Sequence, residues 1–219
     1  MIWPSLKKLS NHKDPEEGDH GEDDHDHHDE DHHDEDHEHE DEADEHVWLS
    51  LRNAQKLVTA ITARLAEADQ VNADLYQANA VAYSEKLSAL DAEFAAVTEQ
   101  AAYNTILFGD RFPFRYLADD YNLTYYAAFS GCSAETEASF KTIMFLVQKV
   151  DELDLPAVLT IEGANHKIAE TIIQTTAHKN QKLLTLDSMQ GVTAKDVQSG
   201  ATYLSIMQGN LDVLTDALN

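Results

Sequence analysis

Histidine and carboxylate side chains are interleaved from Glu16 to His46, in the stretch EEGDHGEDDHDHHDEDHHDEDHEHEDEADEH. This stretch holds about half of the chain's 41 acidic residues and most of its 12 histidines. Imidazole and carboxylate groups are ligands for divalent zinc, nickel, cobalt or manganese, and protonation of the imidazoles below about pH 6 releases such ions. The composition therefore predicts a loop that binds several metal ions weakly, with the candidate ligands His20, His25, His27, His28, His32, His33, His37 and His39.

The same stretch has almost no apolar surface to bury and a dense negative charge, so it does not offset the entropy that ordering would cost. We therefore expect residues 16–45 to form a disordered His/Asp/Glu-rich segment, preceded by a short N-terminal piece over residues 1–15. A solvated acidic linker without bound metal is the alternative. Because a disordered segment does not fix one coordination geometry, a defined metal site has to come from the folded part that follows.

The net charge of −26 over 219 residues is unevenly divided, because the part beyond His46 is only mildly acidic. Negative charge opposes binding to nucleic acid and to anionic membrane surfaces, and it favours cationic ligands. The single cysteine, Cys132, excludes an internal disulfide. No stretch is long enough to span a membrane, and the opening residues lack the apolar run of a signal peptide, since Pro4 and two lysines interrupt it.

Hydrophobic periodicity beyond the acidic stretch predicts an α/β fold. Ser50 is a candidate N-cap of a first helix, whose apolar face includes Ile61 and Leu65, and a second helix from Asn72 to Ala101 is long enough to act as a strut. Apolar runs then alternate with helical patterns, which predicts a mostly parallel four-stranded sheet with the strands Thr105–Phe108, Leu123–Phe129, Ala157–Ile161 and Lys182–Leu186. The flanking helices are predicted at Phe112–Tyr121, Ala134–Glu152, His166–His178 and Ala194–Leu218, the last as one helix or as a broken helix pair. These patterns divide the chain into a helical hairpin with a long linker helix, residues 46–101, and a C-terminal α/β lobe, residues 102–219.

Carboxylates follow three of the four predicted strands: Asp110, Glu162 and Asp187. Open parallel sheets bind their ligands outside the carboxyl ends of the strands. With His46 brought near by the long helix, the three acids form a candidate site for a metal ion. Each acid taken alone is better explained as a helix cap or as a surface charge at a turn.

Three short motifs resemble the zinc- and manganese-binding proteins of ABC uptake transporters. The sequence DEHVWLS at residues 44–50 is similar to that family's Asp-Pro-His-hydrophobic-Trp-Leu signature, with Glu45 in place of Pro. The sequence FRYL at 114–117, followed by YNL at 121–123, is similar to its Phe-Gly-Tyr-Leu…Tyr-Gly-Leu segment, and GATYL at 200–204 is similar to its C-terminal helix. The order of His-rich loop, signature, long helix and α/β lobe is also that of the family, so the resemblance covers about residues 20–219.

By this resemblance His46 is a metal ligand, and Asp187 stands where the family places a ligating Asp. The family usually has His or Glu at the position of Arg111, whose permanent positive charge cannot ligate a metal. Asp110 is therefore the candidate substitute. The implied ion is zinc, with manganese possible.

The resemblance implies a solute-binding protein that captures zinc with high affinity, delivers it to the permease of an ABC uptake system and catalyses no reaction. It also implies a periplasmic or extracellular location at the cell envelope. The family's N-terminal lobe, with its signal sequence and first His ligand, precedes the His-rich loop, so we expect a C-terminal portion of such a protein, from a truncated reading frame or a split gene. Apolar surface around Val47, Trp48 and the strand ends would then be exposed.

Two other functions remain open. In a free-standing metal buffer, the His-rich segment alone would bind the ions. In an α/β enzyme, Asp110, Glu162 and Asp187 would surround a catalytic metal, although the sequence offers no nucleophile–base pair to work with them. His166 and His178 are interpreted as helix-end residues and not as ligands.

Overall fold

The computed structural model describes residues 44–130, 138–163 and 165–219. A four-stranded, all-parallel sheet in the order β2-β1-β3-β4 forms the centre of the fold. Its strands are β1 at Thr105–Phe112, β2 at Thr124–Ser130, β3 at Ala157–Ile161 and β4 at Lys182–Leu186. The α/β fold class and the parallel sheet predicted from the sequence are confirmed.

Helices precede, connect and follow the strands. They are α1 at Leu51–Ala68, α2 at Ala73–Gln100, α3 at Arg115–Asp120, α4 at Phe140–Leu153, α5 at Lys167–Thr175, α6 at Ala194–Gln198 and α7 at Tyr203–Ala217. Single 3₁₀ turns at Val47–Leu49 and Gln70–Asn72 precede α1 and α2. None of the helices in the described ranges is both long and apolar enough to cross a membrane.

The first two helices pack against each other as a hairpin. Ser50 begins α1 as predicted, because its side-chain oxygen accepts the backbone N–H of Asn53 at 3.0 Å. Helix α2 has 28 residues and is therefore about 42 Å long. Only its second half is buried in the core, through Leu87, Leu90 and Phe94. The first half of α2 and the turn before it are mostly exposed.

Two apolar clusters lie on opposite faces of the sheet. Ile106 and Phe108 of β1 belong to the larger cluster, which also includes residues of α1, α2, α3 and α7. Leu107, between them, belongs to the smaller cluster with residues of α4 and α5. This alternation is the side-chain period of a strand covered on both faces. The larger cluster joins the hairpin to the lobe, and the division of the chain at residue 102 stays a prediction.

Strand β1 and helix α4 depart from the predicted boundaries. Strand β1 continues to Phe112, and its pairing with β2 shifts register between Phe108 and Arg111, as at a β-bulge. Asp110 therefore lies inside the strand and not after it. Helix α4 begins at Phe140, because the Ser139 side chain accepts the backbone N–H of Thr142 at 3.0 Å. Ser133, the residue before the predicted start of this helix, lies outside the described residues, as does Cys132.

Candidate metal site

His46 lies just before the 3₁₀ turn that leads into α1, and only 1% of its surface is exposed. Its Nδ1 is 2.7 Å from the Oδ1 of Asp44, which also accepts the backbone N–H of His46 at 2.8 Å. Because a carboxylate only accepts hydrogen bonds, Nδ1 carries the proton and Nε2 presents a lone pair. A carboxylate behind the far ring nitrogen is the usual way in which proteins orient a histidine that ligates a metal.

Asp44, Glu45 and His46 place one ligand atom each within 4.8 Å of one another. Asp44 is already used by the imidazole, and Glu45 is exposed. Asp44 and Glu45 are the last residues of the predicted disordered segment and lie in the described part of the chain. The eight weaker candidate ligands, from His20 to His39, lie outside it.

Three long-range hydrogen bonds hold the segment around His46 against the lobe. The hydroxyl of Tyr116 in α3 donates to the carbonyl of Asp44 at 2.9 Å, and that of Tyr203 in α7 donates to the carbonyl of Trp48 at 2.7 Å. The indole N–H of Trp48 donates to the carbonyl of Ser188 at 3.1 Å. Trp48 also lies beside the imidazole, with ring centroids 5.3 Å apart. The first two contacts tie the segment to α3 and α7, and the contact of Trp48 seats it on the loop that follows β4.

Asp187 is the first residue of that loop. The side chain of Asn210 in α7 holds its backbone on both sides, accepting its N–H at 2.8 Å and donating to its carbonyl at 2.8 Å. Burial raises the pKa of the Asp187 carboxyl, and the nearby Glu162 carboxylate adds to the rise, while the N–H of Met189 opposes it. A half-buried carboxylate without full compensation favours the approach of a cation.

Glu162, directly after β3, holds the same loop in place. Its carboxylate accepts the backbone N–H of Ser188 at 2.7 Å, the hydroxyl of Ser188 at 2.6 Å and the backbone N–H groups of Gln190 and Gly191 at 3.1 and 3.2 Å. These donors use most of the acceptor capacity of one carboxylate. Glu162 is thus a positioning residue for the loop.

Gln190 brings the loop into direct contact with His46. The two Nε2 atoms, one of the amide and one of the imidazole, are 2.7 Å apart. The structure therefore brings together the two regions that contain the predicted ligands His46 and Asp187, from positions far apart in the chain.

Asp110 has a different environment. Its side chain is buried, Oδ1 accepts the backbone N–H of Arg111 at 2.8 Å, and Oδ2 accepts that of Ile161 at 3.3 Å. The carboxylate thus bridges β1 and β3 at the bulge, where it replaces a backbone acceptor. Its role as a metal ligand stays a prediction.

The other two histidines of the lobe lie near helix ends. His166 precedes α5 in the left-handed backbone region, at φ 54°, and its Nδ1 is buried with no hydrogen-bond partner among the described residues. His178 is exposed shortly after the end of α5.

Sequence reasoning missed Gln190 and Asn210, and it gave Asp44 no separate role. The signal for Asp44 was present, since an acid two residues before a histidine can reach the imidazole. Nothing in the local pattern around Gln190 indicates its contact with His46, which is 144 residues away.

The family model for the periplasmic zinc-uptake complex component A matches residues 4–217. Two curated relatives are also zinc proteins by name. Zinc-binding lipoprotein AdcA of Streptococcus pneumoniae serotype 4 is 34% identical over 173 residues, which are 79% of this chain and 34% of AdcA. High-affinity zinc uptake system protein ZnuA of Bacillus subtilis strain 168 is 32% identical over 175 residues, which are 80% of this chain and 53% of that protein. The match thus spans about a third to a half of the length of these relatives.

Solved structures share the fold. The metal-dependent lipoprotein YcdH from Bacillus subtilis has a TM-score of 0.69 at 30% identity, with 80% of this chain and 65% of that chain covered. The Zn(II)-bound ZnuA-like domain of Streptococcus pneumoniae AdcA has a TM-score of 0.65 at 31% identity, with 80% and 64% covered. The family match over nearly the whole sequence, the shared fold and the motif around His46 agree, and the chain belongs to the family of periplasmic zinc-uptake complex component A.

Proposed function

We propose that this chain binds zinc through His46 and Asp187 and delivers it to the membrane permease of an ABC-type uptake system, without catalysing a reaction. The observation that carries this proposal is the buried imidazole of His46, whose Nδ1 is fixed by Asp44 while its Nε2 is directed at the loop that begins with Asp187. Imidazole and carboxylate suit zinc, and manganese is the second candidate.

Asp110 is proposed as a third ligand, through lone pairs that its two backbone contacts leave over. The eight histidines of the acidic segment are proposed to bind further ions weakly and to pass them to the folded site. Because the named relatives include a lipoprotein and an uptake-system protein, we place this function at the cell envelope, in the periplasm or outside the cell.

Calorimetric titration with zinc distinguishes the proposed receptor from a free-standing metal buffer. The proposal predicts one tight class of sites together with several weak ones. Deleting residues 16–42 should remove most of the weak equivalents and leave the tight class and the thermal unfolding of the metal-free protein nearly unchanged. Weak sites alone, all lost with the deletion, would favour the buffer.

We further propose that high affinity needs a second lobe. The relatives are long enough to contain one, since the match covers only 34% and 53% of their length. The hairpin exposes large apolar side chains along both helices and the turn between them: Ile61 at 58%, Leu65 at 45%, Val71 at 94%, Leu75 at 57% and Val81 at 50%. Val47 and Trp48, in contrast, are half-buried. Exposed apolar side chains also occur on the lobe, for example Phe140 at 78% and Val197 at 58%, but those of the hairpin lie on consecutive elements. Apolar surface of this extent marks an interaction site.

A fusion protein tests the second lobe. In the fusion, the N-terminal part of the Bacillus subtilis relative is placed ahead of residue 16. Zinc binding should become tighter by tenfold or more, because one good ligand in a closed site adds several kcal/mol of binding free energy, and about 1.4 kcal/mol corresponds to a tenfold change in affinity. The fusion should also self-associate less in light scattering. If the chain alone is monomeric and binds zinc as tightly as the fusion, the second lobe is not needed.

A further inference from the structure

The side-chain amide of Gln190 is hydrogen-bonded to Nε2 of His46, the nitrogen that would coordinate a metal ion. The Nδ1–H of His46 donates to Asp44, so Nε2 is left as an acceptor. The amide nitrogen of Gln190 is 2.7 Å from it, which makes the amide N–H the donor in this contact. The orientation of both groups thus follows from the carboxylate of Asp44, which cannot donate.

The two partners differ in their access to solvent. His46 is only 1% exposed, whereas Gln190 is an exposed residue of the loop after β4. The backbone of Gln190 is held in place because its N–H donates to the carboxylate of Glu162 at 3.1 Å. Separating the amide from the imidazole therefore requires rotation about the side-chain bonds of Gln190, while the backbone of the loop keeps its position.

We propose that Gln190 is a displaceable latch on the metal-binding nitrogen of His46. This inference rests on the proposed zinc function, since it assumes that zinc binds at Nε2. A ring nitrogen has one lone pair, so the amide N–H and a zinc ion exclude each other. In the metal-free protein the latch satisfies a buried acceptor, and zinc binds only to the fraction of molecules in which the amide has moved away.

The latch should lower the affinity for zinc without holding the bound ion. Apparent affinity falls in proportion to the fraction of binding-competent molecules, and the association rate falls by the same factor. The net strength of one neutral hydrogen bond corresponds to a factor of about two to ten. The dissociation rate of zinc should not change, because the amide is already displaced in the bound state.

Gln190→Met tests the latch, because methionine has a similar length but no N–H donor. The matched control is Gln148→Met, the same change on the exposed side of α4. Zinc affinity of the tightest class is measured on the full chain by competition with a chelator of known affinity. The dissociation rate is followed by the fluorescence of Trp48, whose ring is 5.3 Å from the imidazole, during a chelator chase in a Trp3→Phe background.

Gln190→Met should tighten zinc binding about twofold to tenfold with an unchanged dissociation rate, and Gln148→Met should change neither. The ¹⁵N chemical shift of His46 Nε2 in the metal-free chain should also move toward that of an imidazole nitrogen without a hydrogen bond. Unchanged affinity would overturn the latch, and weaker binding would make the amide oxygen a ligand instead. The proposed function is tested separately by His46→Ala, and an unaffected tight class in that variant would overturn the function and the latch together.

Discussion

In the proposed site, Asp44 decides which nitrogen of His46 is directed at the metal ion. One oxygen of its carboxylate holds both the backbone N–H and the Nδ1–H of the histidine, so the ring can neither turn over nor change tautomer without losing a hydrogen bond. Tyr116 fixes Asp44 in turn through its carbonyl. The orientation of the predicted ligand thus depends on residues that do not touch the ion.

Replacing Asp44 by alanine should weaken the tightest zinc class about tenfold to a hundredfold, since outer carboxylates of this kind contribute that much to metal affinity. Competition with a chelator measures the change. Asp74→Ala is the control. Asp74 is an exposed acid of the first turn of α2, and its substitution removes the same charge. If the two substitutions weaken zinc binding by the same factor, Asp44 acts only through its charge.

The ligand candidates were within reach of sequence reasoning, and their partners distant in the chain were not. Asp187 follows an apolar run that ends at the edge of the sheet, and His46 stands in a short motif, so local pattern made both candidates and the family resemblance predicted that they ligate a metal. Asn210 and Gln190 act through contacts across 23 and 144 residues. Such contacts depend on the completed packing of α7 and of the loop after β4, which no local pattern encodes.

Among the secondary-structure elements, β1 and α5 approach each other most closely at Gly109. A Cβ atom at this position would lie 2.5 Å from the Cα and 2.6 Å from the Cβ of Ala169. Any side chain would therefore force the helix away from the strand next to Asp110. The sequence predicted both elements but ended the strand at Phe108. Glycine is unfavourable within strands, so its presence in β1 needs a reason. The close packing of α5 explains the glycine.

Gly109→Ala should lower the free energy of unfolding by about 1–3 kcal/mol, as overpacking of a rigid contact does. Gly209→Ala is the matched control, since Gly209 lies inside α7 with no atom within 4 Å of the added Cβ. That change should stabilise the protein by about 0.5–1 kcal/mol, because alanine is the better helix former. Denaturant unfolding of the metal-free proteins measures both. If both substitutions changed the free energy of unfolding in the same direction, the close contact at Gly109 would be contradicted.

A partly buried carboxylate, that of Asp120, connects the start of α1 to α3. The hydroxyl of Ser50 donates to Asp120, and Arg52 lies 3.6 Å from the same side chain. Burial raises the pKa of the Asp120 carboxyl above its ordinary value of 3.8, and Ser50 and Arg52 reduce the rise. The pKa is higher in the folded than in the unfolded state. The folded protein therefore gains stability from this group as the pH falls through the raised pKa, and the gain is complete below the ordinary value.

Asp120→Asn removes this titration while keeping an acceptor for Ser50. The melting temperature of the wild type relative to the variant should therefore be higher at about pH 4 than at pH 7, because only the wild type gains from protonation. Thermal unfolding of both proteins in the presence of a chelator gives the comparison. A difference that is the same at the two pH values would show that Asp120 titrates alike in the folded and unfolded states.

In the molecule as a whole, candidate metal ligands occur both in the acidic segment and in the proposed folded site between the hairpin and the lobe. Composition alone predicted the segment, and its eight weaker candidates remain predictions because they lie outside the described residues. The folded site depends on the hairpin, since the larger apolar cluster joins α1 and α2 to the sheet and thereby seats His46 on the loop that begins at Asp187.

The most direct test of the account is the zinc affinity of the folded site once residues 16–42 have been deleted. Competition with a chelator should show that His46→Ala and Asp187→Ala each weaken the tightest class by at least about tenfold, since each removes a coordinate bond. His178→Ala, a change at an exposed position after α5, should leave the affinity unchanged. Equal weakening by all three substitutions, or no effect of the first two, would contradict a defined zinc site at His46 and Asp187.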